Sequence, residues 1–281
     1  MMFWKNTYNE FIKIFSKPRS FIGLGAITII VGILLYAIHK GGLDYISFIT
    51  KPFEQSLAFE GKILNGNLIA FFILQILIIH VPLLIALVTG DLISGEAAMG
   101  TIRLLLTKPI SRNSILFSKY IAGCAYTLFL LLWLMIMALG FGKIIFGTGD
   151  LIVLKSDGIV ILQQQDLPWR FCCAFGVAYL SLVTIATLSL TLSCFSENSI
   201  GPIVSTMAII IVFNIVGALN VAAFEKIKPF LFTEHMIAWR SIFDDPLAKK
   251  ELLTSIFVLL VHIFGLLGIA SYKFNKKDIL S

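Results

Sequence analysis

Five polar side chains sit inside long apolar runs: Gln75, His80, Asn214, Asn220 and His262. Burying such a group in hydrocarbon without a partner costs several kcal/mol. Each must therefore line a translocation path or hydrogen-bond a neighbouring helix, and the sequence leaves both readings open. His80 stands two residues before Pro82, whose missing N–H frees a carbonyl and kinks a helix at that depth. None of the five sits at metal-ligand spacing. The histidines His39, His80, His235 and His262 are scattered through separate segments. Cys124, Cys172, Cys173 and Cys194 all fall within apolar runs, where they read as small packing residues rather than a disulfide framework. HExxH, GxSxG and paired intramembrane carboxylates are missing, and Gly61-Lys62 runs into Ile63 without the hydroxyl residue of a phosphate loop. The chain is expected not to be an enzyme and to carry no cofactor of its own.

The densest polar stretch is 91–119, DLISGEAAMGTIRLLLTKPISRNSILFSK, wedged between two apolar runs. A helix from Glu96 to Thr107 would align Glu96, Gly100, Arg103 and Thr107 on one face, with Met99, Ile102, Leu105 and Leu106 on another. Pro109 should break it, because the residue before a proline is pushed out of the helical region. Ser111 can cap a new helix that continues into the next apolar run. The pattern predicts a short amphipathic helix, a hinge and a membrane helix.

Those elements need a frame, and composition supplies it. Apolar residues make up 58% of the 281 and charged residues 14%, against about 45–50% and 25% in soluble domains. The expected fold is an all-α polytopic membrane protein, a single transmembrane domain over 1–281. Its six spans fall near 21–38, 68–90, 120–142, 171–194, 201–223 and 252–272, each close to the ~20 residues a bilayer core requires. Before them, residues 3–17 place Trp4, Tyr8, Phe11, Ile12 and Phe15 opposite Lys5, Asn9, Lys13 and Lys17, the signature of an amphipathic helix lying in the membrane interface. Glu10 argues against a transit peptide. An even number of spans puts both termini on one side. With that side inside, the 22 Lys and Arg divide evenly while most of the 16 acidic residues fall outside, so the net +6 belongs to the inner side. Such a charge suits the cytoplasmic leaflet, and no soluble basic domain suggests nucleic acid. In the short inner loop, Asn198 or Ser199 can cap the helix that begins at Gly201-Pro202, and Glu197 could reach a partner. The loop 224–251 mixes aromatic and charged residues and suits short interfacial helices.

Glu96, Gly100-Thr101, Arg103-Leu104-Leu105-Leu106, Pro109, Ser111-Arg112 and Lys119 resemble the cytoplasmic coupling segment of ABC-2 type ABC transporter permeases. The N-terminal helix is similar to that family's interfacial elbow helix. The resemblance implies a six-span subunit of an ATP-driven exporter in the cell membrane, with cytoplasmic termini. ATP and Mg would be bound by two separate ATP-binding subunits, and a second copy or related permease would complete the pore. Glu96, Gly100, Thr101, Arg103, Pro109, Ser111 and Arg112 would contact the ATPase. Two alternatives from other classes stand beside it: a nucleotide-independent channel or carrier, and a structural assembly subunit. The scarcity of charge in mid-span weakens the carrier.

Overall fold

The computed structural model of the protein describes residues 2–50, 64–102, 110–155, 158–219 and 221–276. Helix α1 (Met2–Ser16) ends at a bend before Pro18, and α2 (Pro18–Thr50) is the first long apolar helix. Next come α3 (Gly66–Leu77), α4 (Val81–Thr89) and α5 (Asp91–Ala98). Helix α6 (Arg112–Met135) continues through a π-helical segment, Ile136–Phe141, into α7 (Gly142–Phe146). An antiparallel hairpin follows, β1 (Leu151–Lys155) and β2 (Gly158–Leu162), with Val153 opposite Val160. Then come α8 (Leu167–Phe195), α9 (Ile200–Ala218), the one-turn helices α10 (Ala222–Glu225) and α11 (Phe232–His235) with 3₁₀ turns around them, and α12 (Lys249–Lys276).

Among the described residues, six helical stretches are long and apolar enough to cross a membrane: Pro18–Gly42, Val81–Ala98, Arg112–Phe146, Leu167–Phe195, Ile200–Ala218 and Lys249–Lys276. The protein is therefore a multi-pass, mostly helical membrane protein. Three details differ from the sequence expectation. The second apolar run, expected as one span over 68–90, is broken at 78–80 and extends to Ala98. Pro82 lies in the first turn of α4, where its missing N–H does no harm, and the chain before it turns instead. The expected helix from Glu96 to Thr107 does not run through. Gly100 takes φ +69, a left-handed conformation that ends α5, and helix resumes only at 101–102. The hairpin is also an addition to an all-α expectation. Its signal was Gly158 at φ +152 between two β-branched runs.

Two stretches form the centre. In Val81–Ala98 and Leu167–Phe195, 78% and 72% of the apolar window is buried inside the protein, against 17% for Ile200–Ala218 and Lys249–Lys276. Helix α8 is central because its small hydroxyl residues let neighbours approach and then bond to them. Ser193 Oγ accepts from Ile93 N at 3.2 Å and Ser94 N at 2.8 Å, Ser189 Oγ donates to Ala86 O, and Thr191 Oγ1 donates to Leu266 O. Gly90 marks the crossing, since a Cβ there would lie 2.7 Å from Ala86 O and 2.8 Å from Ser189 Oγ. One continuous apolar core runs from Ile14 in α1 through Leu74, Tyr126 and Leu182 to Phe274 in α12.

Candidate functional site: a ring of ion pairs at one end of the bundle

Charge near the end of an apolar helix is expensive unless paired, and α1 brings the pairs. Helix α1 packs on the start of α6 and turns Thr7, Glu10 and Ile14 inward. Glu10 lies opposite Lys119 of α6 and beside Glu96 of α5. Lys119 Nζ meets Glu10 Oε2 and Glu96 Oε2, each at 2.8 Å, while Lys13 Nζ meets Glu10 Oε1 at 2.7 Å and Glu96 Oε1 at 2.9 Å. The four charges form a closed ring of alternating sign, with each carboxylate held between two ammonium groups. Lys119 is only 1% exposed and Lys13 45%, so the ring has a dry corner and a wet one. Burial pulls the Lys13 ammonium down, but hydrogen bonds and charge from Glu10 and Glu96 outweigh it and hold the group above the ordinary lysine value.

Beside the ring, Asp91 takes Lys17 at 2.9 Å and Arg19 at 2.6 Å, and Ser199 hydrogen-bonds the same carboxylate. Gly95 lies against that carboxylate, and a Cβ there would collide with it. A void of about 20 Å³ lies among Glu10, Lys13, Lys17, Asp91, Glu96 and Lys119, room for one water. The start of α1–α2, the end of the second span, the start of the third and the loop before α9 are thus fastened at one end. Arg112 adds the last helix: its Nη1 donates to Asn275 O at 2.9 Å and Phe274 O at 3.3 Å, the open carbonyls at the end of α12. Both ends of the described chain therefore lie at this end of the bundle.

The sequence-selected residues divide accordingly. Glu96 is buried in the ring and faces inward, and Arg112 caps α12. Gly100 and Thr101 are exposed just past the end of α5, with Thr101 Oγ1 3.3 Å from Glu96 O. Ser111 is the expected N-cap, its Oγ accepting from Ser114 N. Arg103, Pro109 and Asn220 lie outside the described residues. In the 196–199 loop Asn198 Oδ1 accepts from Gly201 N at 2.7 Å, and Glu197 is exposed.

Among the described residues, no hydrogen bond joins the intramembrane polar side chains Gln75, His80, Asn214 and His262 to one another. His80 and His262 each place Nδ1 on the carbonyl four residues back, Ile76 O at 2.8 Å and Val258 O at 2.9 Å. A carbonyl only accepts, so Nδ1 carries the proton and each ring spends that donor on its own chain segment. Asn214 is exposed and Gln75 half-buried. Glu10 and Asp91 escaped the sequence reading as site residues. Their signal was an acidic residue next to an apolar run, which in a membrane protein calls for a named partner.

The class defined so far is a multi-pass helical membrane protein whose charged groups are gathered at one end of the bundle. Within that class, the chain belongs to the family described as "Protein of unknown function (DUF2705)", whose model matches residues 26–280. It is 29% identical over 199 residues to the "Uncharacterized protein YhcI" of Bacillus subtilis (strain 168). That match covers 69% of this chain and 63% of the relative's length.

Proposed function

We propose that this chain is the membrane-spanning subunit of an ATP-driven exporter of the ABC-2 type, working with two separate ATP-binding subunits and a second permease. The observation that carries the reading is the fastening of the 91–119 segment. Its entry is fixed by Asp91 and Glu96, and its exit by Arg112 and Lys119. A push on the exposed Gly100 and Thr101 would pass into the second and third spans together rather than dissipate in a loop. Glu96 acts here as an internal anchor, and the docking contacts fall to Gly100, Thr101 and Arg103. ATP and Mg belong to the partner chain. The end carrying α1 and Lys276 faces the cytoplasm in this reading, and the protein resides in the cell membrane.

The test is a mild-detergent purification of the tagged full-length chain with mass-spectrometric identification of its partners. An ATP-binding cassette protein, co-purifying in near-equal amount and hydrolysing ATP, is the expected result. Arg103→Glu should abolish that association while leaving membrane insertion and the yield of the chain unchanged. Purification free of any ATP-binding protein, from cells that retain the protein's activity, would overturn the reading and favour a nucleotide-independent carrier or an assembly subunit.

A further inference from the structure

A groove of about 410 Å³ runs between α6 and α8, open to the side of the bundle. On the α6 side it is lined by Leu128, Leu132 and Leu139, and on the α8 side by Phe171, Phe175 and Gly176. It follows α6 toward α7 for the 15 positions from Leu128 to Lys143, about 22 Å of helix at ~1.5 Å per residue. Leu128 lies near the middle of the 35-residue stretch Arg112–Phe146, and ~22 Å from there exceeds the ~15 Å of hydrocarbon in one leaflet, which puts Lys143 at headgroup depth. Lys143 is the one charged residue among those lining the groove, and its ammonium makes no hydrogen bond or ion pair among the described residues.

Three local features build this groove. The π-helical turn Ile136–Phe141 lies along it, and such turns interrupt regular packing and recur at functional sites. The backbone beyond that turn is pressed onto α3, where a Cβ on Gly66 would lie 2.5 Å from Lys143 N. This contact draws the rod toward α3 and fixes where the Lys143 stem begins. On the far wall Gly176 faces open space, with nothing within 4 Å of its Cβ position. Pro168 also lines the groove, and the next residue, Trp169, is 42% exposed, an aromatic ring of the kind that forms interfacial belts. Neighbouring Arg170 is committed to Ile242 O and Asp244 O, each at 2.8 Å, so Lys143 is the cation that remains for a ligand.

We infer that this groove holds one acyl chain of a resident anionic phospholipid, from the leaflet at the hairpin end, with the phosphate on Lys143. An apolar channel as deep as a leaflet, ended by one unpaired cation, matches that amphiphile. The inference goes beyond the transport reading and stands without it.

The purified full-length protein, given equal amounts of phosphatidylglycerol and phosphatidylcholine in mild detergent, is examined by native mass spectrometry. One retained lipid is expected, with at least a fivefold preference for phosphatidylglycerol. Gly176→Leu, whose Cβ meets nothing within 4 Å, projects into the groove and should cut occupancy by both lipids at least fivefold. Lys143→Gln should leave a lipid bound but bring the preference close to one. Gly265→Leu, at another open position on α12, should change neither. If Gly176→Leu does not yield a monodisperse protein, Leu132→Trp plugs the same groove. Full occupancy in the plugged variant, or equal binding of the two lipids by the unmodified protein, overturns the inference.

Discussion

At the end that carries Glu10, Glu96 and Lys119, helices are joined charge to charge. At the hairpin end, side chains reach backbone carbonyls instead. There Asn65 Nδ2 donates to Asp150 O and Asn67 Nδ2 to Gly149 O, both at 2.7 Å, and Arg170 holds the carbonyls of Ile242 and Asp244. Aromatic packing of Phe71, Trp239 and Phe243 backs these bonds. A bond to a carbonyl needs only one correct side chain, whereas an ion pair fails if either partner changes, and failure leaves the other charge buried. The hairpin end is thus built to hold loops on the core, and the ring at the charged end makes α1, α5 and α6 respond as one body.

Substitutions should separate the two ends. Lys119→Met leaves two buried carboxylates, Glu10 and Glu96, to share the single ammonium of Lys13, and should cost about 3–5 kcal/mol, read as the largest fall in thermal midpoint in detergent. Adding Glu10→Gln should recover part of that loss, which a simple packing defect would not. Arg170→Met removes two charge-assisted bonds at the other end and should cost about 1.5–3 kcal/mol, with no rescue by any acidic-residue change. Equal rescue at both ends would erase the contrast. Ser193→Ala, which removes the acceptor shared by Ile93 N and Ser94 N, should cost about 1 kcal/mol. Lys13→Met sits at the wet corner and should cost under ~1 kcal/mol after solvent screening, with the loss shrinking further in high salt. Its pH dependence follows from the raised ammonium. Since the folded state favours protonation, the Lys13 contribution is whole at neutral pH and fades only as pH climbs through the folded-state value, above the ordinary lysine range. A Lys13→Met penalty that vanished between pH 7 and 9 would contradict this.

Much of the architecture was legible. Apolar length announced the spans and Ser111 the start of the third, whereas Pro82 suggested only a kink in a second run that in fact breaks at 78–80. The helix break at Gly100 was not read, because helical spacing across 96–107 outweighed a glycine that suits a left-handed turn. The ring was also hidden, for pairing depends on which span ends meet in space. Glu10 and Lys119 stand 109 positions apart, and no local pattern links them. The four polar mid-span residues that structure describes proved easier to notice than to interpret, since the two histidines each spend a ring donor on their own segment.

The separation of Glu10 from Lys119 has a consequence for biosynthesis. A ribosome adding about 5–20 residues per second needs several seconds after Glu10 to deliver its partner. Throughout that interval Glu10 has only Lys13, the half-exposed cation of its own helix, so the N-terminal segment stays in water at the bilayer surface and docks only after the third span has entered the membrane. The carbonyls that Arg112 seals are made later still, which makes closure of this end among the last events in the birth of the molecule.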